Sequence, residues 1–211
     1  MTEATVLAKF AVSMIAVVNP LGMTPMFLGL TASQDAKEKR RTARRAALTV
    51  MAALAAVSII GGGILTVFGI SVASFRVIGG VLFLLMAIDM LRAQPRRTNQ
   101  TPEEKEEAQE MDDIAIVPLG VPILAGPGAI SSVLIFAEEN GDVQNRLWLL
   151  AIILGVSVAV WLVLLLAEPI GKALGKTGTN IMTRAMGLVV GAMAIEYIGS
   201  GMAQIWPALA S

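Results

Sequence analysis

The stretch VNPLGMTPM, residues 17–25, lies inside an uncharged, mostly apolar run covering residues 10–34. Proline removes an amide donor and blocks the carbonyl four residues earlier. Pro20 would therefore strand the Ala16 carbonyl, and Pro25 that of Leu21. Gly22, between them, permits backbone angles that other residues resist. Asn19 and Thr24 bring polar side chains to the same point. Each unsatisfied backbone group in hydrocarbon is costly, so such a break survives only inside protein or beside water. The stretch predicts a membrane-crossing helix interrupted at its middle, since Gly22 is the midpoint of the run.

The remaining composition agrees. Of 211 residues, 55% are apolar and 15% charged, where soluble domains carry about 25% charge. Mean hydropathy is +0.73. The chain reads as an integral membrane protein. It has no Cys and no His, which excludes disulfides, thiolate or imidazole metal sites, and Ser/His or Cys/His catalysis. No GxxxxGK[ST] loop occurs, so ATP is not the direct energy source. No enzymatic activity, cofactor or metal is expected. The apolar run near the start continues to Gln34, longer than a signal peptide needs, and reads as a retained span. Lys+Arg and Asp+Glu are 16 each, so net charge gives no reason to expect nucleic acid. The basic residues sit in loops without interleaved aromatics and read as topology determinants and contacts to membrane lipid.

Six spans are expected, at residues 10–34, 46–69, 77–88, 114–137, 147–167 and 181–206. Only helices or closed barrels cross a bilayer, and these runs are too long for strands. The fold class is all-α and polytopic. Thirteen of the sixteen Lys and Arg fall in the loops after spans 1, 3 and 5 or at their edges; Lys9, Arg76 and Arg146 take the other side. Cytoplasmic loops carry the basic excess, so both termini should be extracytoplasmic in a multi-pass protein of the inner (plasma) membrane.

Shifted by 107 residues, the chain repeats its landmarks. Pro20 falls on Pro127, Gly80 on Gly187, and MAID (residues 86–89) on MAIE (residues 193–196). Arg76 and Arg184 are one position out of step, and the second spans align poorly. Three spans per half, an odd number, make the repeats inverted, as in many secondary transporters. The expected organisation is a first repeat at 1–92, a charged cytoplasmic loop at 93–113 and a second repeat at 114–211. In the fourth span Pro127 would strand the Ile123 carbonyl, with Gly126 and Gly128 beside it and the midpoint of the run next to Gly126. Two breaks near the midplane of equivalent spans point to a binding site. Amides at half-helix starts suit an anion and carbonyls at half-helix ends suit a cation, so one pocket with both suits a zwitterionic or small polar solute. Asn19, Thr24, Ser131 and Ser132 would add side-chain hydrogen bonds. The plainer reading is that the kinks serve packing and that Ser131 and Ser132 bond helix to helix.

Asp89 and Glu196 occupy equivalent repeat positions, and ionisable groups in a bilayer are functional by default. Asp89 lies three residues before Arg92, and an i,i+3 pair would explain it. Glu196 lies deeper and is the better candidate for proton coupling, unless Arg76 pairs with it. Gly187 and Gly191 form a GxxxG pair suited to packing within the monomer; a dimer seam, hence a homo-oligomer, is the alternative.

NPLGMTPMFLGLT in the first span and PLGVPILAGPGAIS in the fourth resemble the paired signatures of the MarC family of six-span membrane proteins, related to the LysE-type exporter superfamily. The resemblance covers nearly the whole chain. It implies a transporter of small neutral amino acids driven by an ion gradient, H+ or Na+, with family motifs falling on Asn19, Pro20, Gly22 and Pro25 and on Gly126, Pro127 and Gly128. The sequence reading is a secondary transporter binding its substrate between broken spans 1 and 4. Its alternatives are a metal-ion or other exporter or channel of that superfamily, and a non-transporting scaffold.

Overall fold

The computed structural model describes residues 3–92 and 125–207. Within them lie seven helices and no strand: α1 (Glu3–Val18), α2 (Thr24–Leu30), α3 (Ala36–Phe68), α4 (Val72–Leu91), α5 (Pro127–Glu139), α6 (Val143–Leu165) and α7 (Ala167–Ile205). Four segments are long and apolar enough to cross a bilayer: α3, α4, α6 and Thr177–Ile205 of α7. The charged central loop and the first part of the expected fourth span, residues 93–124, lie outside the described residues.

The first break falls where its prolines predict it. The first apolar run is two helices, α1 and α2, separated at residues 19–23. In the second apolar run, α5 starts at Pro127, behind an extended Gly126 (φ −67°, ψ 173°), and the part of the run before Ala125 lies outside the described residues. Proline suits a helix start because its missing amide would have no intrahelical partner there.

Local chemistry sets the other boundaries. Asp35 caps α3 by accepting from the amides of Lys37 (2.7 Å) and Glu38 (2.8 Å), and Glu38 accepts from the Asp35 amide at 2.8 Å, a reciprocal box that satisfies orphan donors. The helix ends at Gly69 in the left-handed region (φ 63°), a conformation costly for other residues. With 33 residues, α3 is about 50 Å long, more than a bilayer needs. Its first ten residues hold six Lys and Arg and project as a charged extension of the span. Ser71 and Asp142 cap α4 and α6.

The expected third span was bracketed by Arg76 and Asp89. Both instead lie within α4, which is longer at each end. The expected loop before the last span, carrying Lys172, is also helical. It runs from Ala167 to a kink at Gly175 (φ 59°, ψ −176°). Gly171 on this segment lies close to Leu28 of α2.

α5 is the centre of the molecule. From Gly128 to Ala137 every residue is buried except the half-buried Ile130. Phe136 stacks on Phe10 of α1 with ring centroids 4.2 Å apart. The most extensive packing joins α4 to α7, then α3 to α6. Glycines set the α4–α7 separation: a Cβ on Gly80 would stand 2.8 Å from the Ala194 oxygen and 2.9 Å from the Ile198 nitrogen. Lipid supplies no hydrophobic force between helices, so close contact of this kind holds them.

Candidate functional site

At the first break the chain turns on Asn19, which is buried and adopts a left-handed backbone (φ 47°) that only Asn, Asp and Gly visit readily. Its side-chain oxygen accepts the Gly22 amide at 3.2 Å. A Cβ on Gly22 would collide with the Asn19 side chain, so the glycine leaves room for the asparagine. The Asn19 amide bonds the Ile15 oxygen (2.9 Å), the Met23 amide the Asn19 oxygen (3.3 Å) and the Thr24 amide the Leu21 oxygen (3.2 Å). The buried Thr24 hydroxyl points back at the Pro20 oxygen, 3.5 Å away. The Leu21 carbonyl, expected to be stranded, is therefore occupied, as are the amides of Asn19, Gly22, Met23 and Thr24. The break satisfies most of its own polar groups, because the asparagine side chain bridges the gap that the prolines open. What it presents to its surroundings is shape and the side chains of Asn19 and Thr24 rather than a row of free dipoles.

Those side chains line a cavity of about 950 Å³. One wall is the break itself, from Val17 to Met26 with Leu28. The second is the end of α4, at Met86, Asp89 and Met90. The third is the start of α7, where Glu168, Gly171, Lys172, Gly175, Thr179, Asn180 and Thr183 reach it. Apolar side chains from the break and α4 face a polar strip on α7. The exposed Glu168 is paired with Lys39 of α3 at 2.7 Å, and this pair holds the carboxyl below its ordinary range. The pair also sets the starts of α3 and α7 at one end of the molecule, the end where the cavity lies.

Of the residues singled out from sequence, Asn19, Gly22, Thr24, Pro25 and Asp89 line this cavity. Pro20 is buried in the turn between α1 and α2. The residues singled out around the start of α5 lie elsewhere. Gly126, Pro127, Gly128, Ser131 and Ser132 do not line the cavity. A Cβ on Gly128 would meet Phe83 and Met86 of α4, and Ser131 packs on Gly79. Ser132 is 2% exposed, and its hydroxyl makes no hydrogen bond. Glu196 is exposed on the outer side of α7 instead of buried in a core. Arg76 does not pair with it; Arg76 pairs with Glu139 at the end of α5.

Thr179, Asn180 and Thr183 were not foreseen. Part of their signal was present in the sequence: Thr179 and Thr183 are four residues apart, the spacing of one helix face.

Long apolar helices, an apolar run interrupted at residues 19–23 and a cavity at that interruption define a polytopic α-helical membrane protein. The chain belongs to the MarC family of integral membrane proteins, whose pattern matches residues 4–206. It is 36% identical to a UPF0056 membrane protein of Buchnera aphidicola subsp. Acyrthosiphon pisum (strain APS), over 98% of this chain and 96% of that one. It is 38% identical to one of Methanocaldococcus jannaschii, over 90% and 92%. It is 34% identical to the UPF0056 membrane protein YhcE of Escherichia coli (strain K12), over 95% and 94%. No solved structure matches.

Proposed function

We propose that the protein is a six-span secondary transporter of small neutral amino acids, working by alternating access in the inner membrane. The observation that carries the proposal is the cavity of about 950 Å³ built on a helix break. Irregular backbone at membrane depth is tolerated where it lines such a space. Its walls offer carbonyl, amide and hydroxyl groups at Asn19, Thr24, Thr179, Asn180 and Thr183, with a carboxylate at Asp89 and an ammonium at Lys172. Opposite charges in one pocket suit a zwitterion, and the volume accommodates a small solute with water.

In this reading α1 and α2 together form the first span, and α5 with the segment before it forms the fourth. Inverted symmetry is supported by contacts at residue level. A Cβ on Gly187 would stand 3.2 Å from the Leu91 nitrogen and 3.3 Å from the Ala87 oxygen. Shifted by 107, these become Gly80, Ile198 and Ala194, the set already described on the other side of the same interface. The helix pairs α4–α7 and α3–α6 likewise each join an element to its repeat mate. The cavity lies at the end bearing the basic residues of α3, so it faces the cytoplasm under the positive-inside rule. Asp89 and Glu196 remain the coupling candidates, Asp89 within the cavity.

The test is a binding scan in detergent followed by flux in vesicles. Glycine or alanine should raise the melting temperature and should be moved by reconstituted vesicles under an ion gradient. Asn19→Leu and Thr183→Trp, each compared with its own unliganded melting point, should lose the shift. Stabilisation by divalent cations alone, with no amino-acid flux, would sink the proposal.

A further inference from the structure

Under the 107-residue shift four residues of the cavity lining map onto one patch of the other half. Thr24 becomes Ser131, Pro25 becomes Ser132, Met90 becomes Tyr197 and Thr183 becomes Arg76. Four residues from α2, α4 and α7 thus convert into four from α5, α7 and α4, and the structure brings the second set together. Ser131 packs on Gly79, close to Arg76 along α4. Tyr197 lies against Phe83 of α4, ring centroids 5.1 Å apart. Arg76 pairs with Glu139, two turns beyond Ser132 on α5.

We infer that this patch is a second vestibule, shut in the present conformation, which receives the same solute from the opposite side of the membrane and is locked by the Arg76–Glu139 pair. The inference rests on the transporter reading. The patch is polar where packing alone calls for apolar side chains. Ser132 is 2% exposed with an unpartnered hydroxyl, in a helix stretch that is otherwise apolar from Val133 to Ala137. A buried hydroxyl without a partner is a standing cost, and it is relieved when solute or water enters. The floor between the two spaces is thin. Gly128 lies against Phe83 and Met86; Met86 lines the open cavity, and Phe83 meets the Tyr197 ring at 5.1 Å. Movement of the Phe83–Tyr197 contact would join the patch to the solute's position, and Arg76–Glu139, tying the start of α4 to the end of α5, opposes that movement.

The chain has no cysteine, so single reporters need no background changes. Ser132→Cys and, as a second reporter, Ser131→Cys are made in the full chain, reconstituted, and exposed on the Glu139 side to a charged thiol reagent that does not cross lipid. Labelling should be slow in each alone and at least tenfold faster when Glu139→Gln is added. Arg76→Glu combined with Glu139→Arg should return it to the slow rate. Val133→Cys, buried on the same helix, should stay slow throughout. Equal acceleration at Val133→Cys means general loosening and overturns the inference, as does slow labelling of both serine reporters in every background. If those reporters stay slow while glycine still stabilises the protein, the vestibule fails and the transporter reading stands. Accelerated labelling with no amino-acid binding keeps the vestibule and removes the amino-acid assignment.

Discussion

The Asn19 side-chain oxygen accepts the Gly22 amide at 3.2 Å, and the Asn19 side chain fills the space a Cβ on Gly22 would need. The two residues are a unit. One supplies the hydrogen bond that closes a helix break in a low-dielectric setting, and the other supplies the room. The amides of Met23 and Thr24 then find backbone partners within the same turn. A proline-broken span thereby becomes a rigid wall for a cavity rather than a frayed end.

Gly22→Ala should destabilise the detergent-solubilised protein by about 1–3 kcal/mol, the cost of overpacking. Asn19→Gly keeps access to the left-handed backbone and loses the side-chain bond, so its loss should be smaller, about 0.5–1.5 kcal/mol. Asn19→Ala loses the bond and adds strain of about 1–2 kcal/mol at positive φ. The order of melting temperatures, Gly above Ala at position 19, checks the account.

At the α4–α7 seam, Gly80→Ala should lower stability by about 1–3 kcal/mol, because its Cβ would press on the Ala194 oxygen and Ile198 nitrogen of the facing backbone. Gly63 of α3 has nothing near its Cβ position. Gly63→Ala should be neutral or stabilising by up to about 1 kcal/mol through helix propensity. Thermal unfolding of the two variants side by side tests whether close backbone approach is the cause.

The Lys39–Glu168 tether between α3 and α7 should respond to acid. Hydrogen bonding and charge attraction from Lys39 hold the Glu168 carboxyl below its ordinary range. A lowered folded-state pKa contributes stability above the unfolded value and loses it as pH falls through the folded one. A difference in melting temperature between the wild type and Glu168→Gln should thus be present at neutral pH and vanish under acid. It should also shrink in high salt, since the pair is exposed. A difference that persists at low pH would argue against the tether.

Sidedness follows from where the turns lie. Ser33, between α2 and α3, and Gly141, between α5 and α6, are both exposed. In intact cells an impermeant thiol reagent should label Gly141→Cys and spare Ser33→Cys, with the reverse in inside-out vesicles. Labelling of both positions from one side would contradict the inverted arrangement.

Much of this architecture was legible in the chain. Apolar runs of span length define α3 and α6, since hydrocarbon admits no alternative to internal backbone hydrogen bonding. The helix interruption at residues 19–23 and the helix start at Pro127 follow from proline chemistry. The helix from Ala167 to Gly175 carries a loop's sequence pattern, because its apolar residues are few and Pro169 and two glycines punctuate it. Packing of Gly171 beside Leu28 and pairing of Glu168 with Lys39 fix that segment, and both partners lie far away in sequence.

What the sequence determined by itself was the solvent: composition and run length placed the chain in a bilayer, and the prolines, acting on their own backbone, set where its helices stop. What only the tertiary structure decided was which polar groups meet. It put Asn19 and Thr24 opposite Thr179, Asn180 and Thr183, separated both from the serines of α5, and gave Arg76 to Glu139 rather than to Glu196. Breaks are local properties of a chain, whereas a cavity belongs to several segments at once and exists only after they pack.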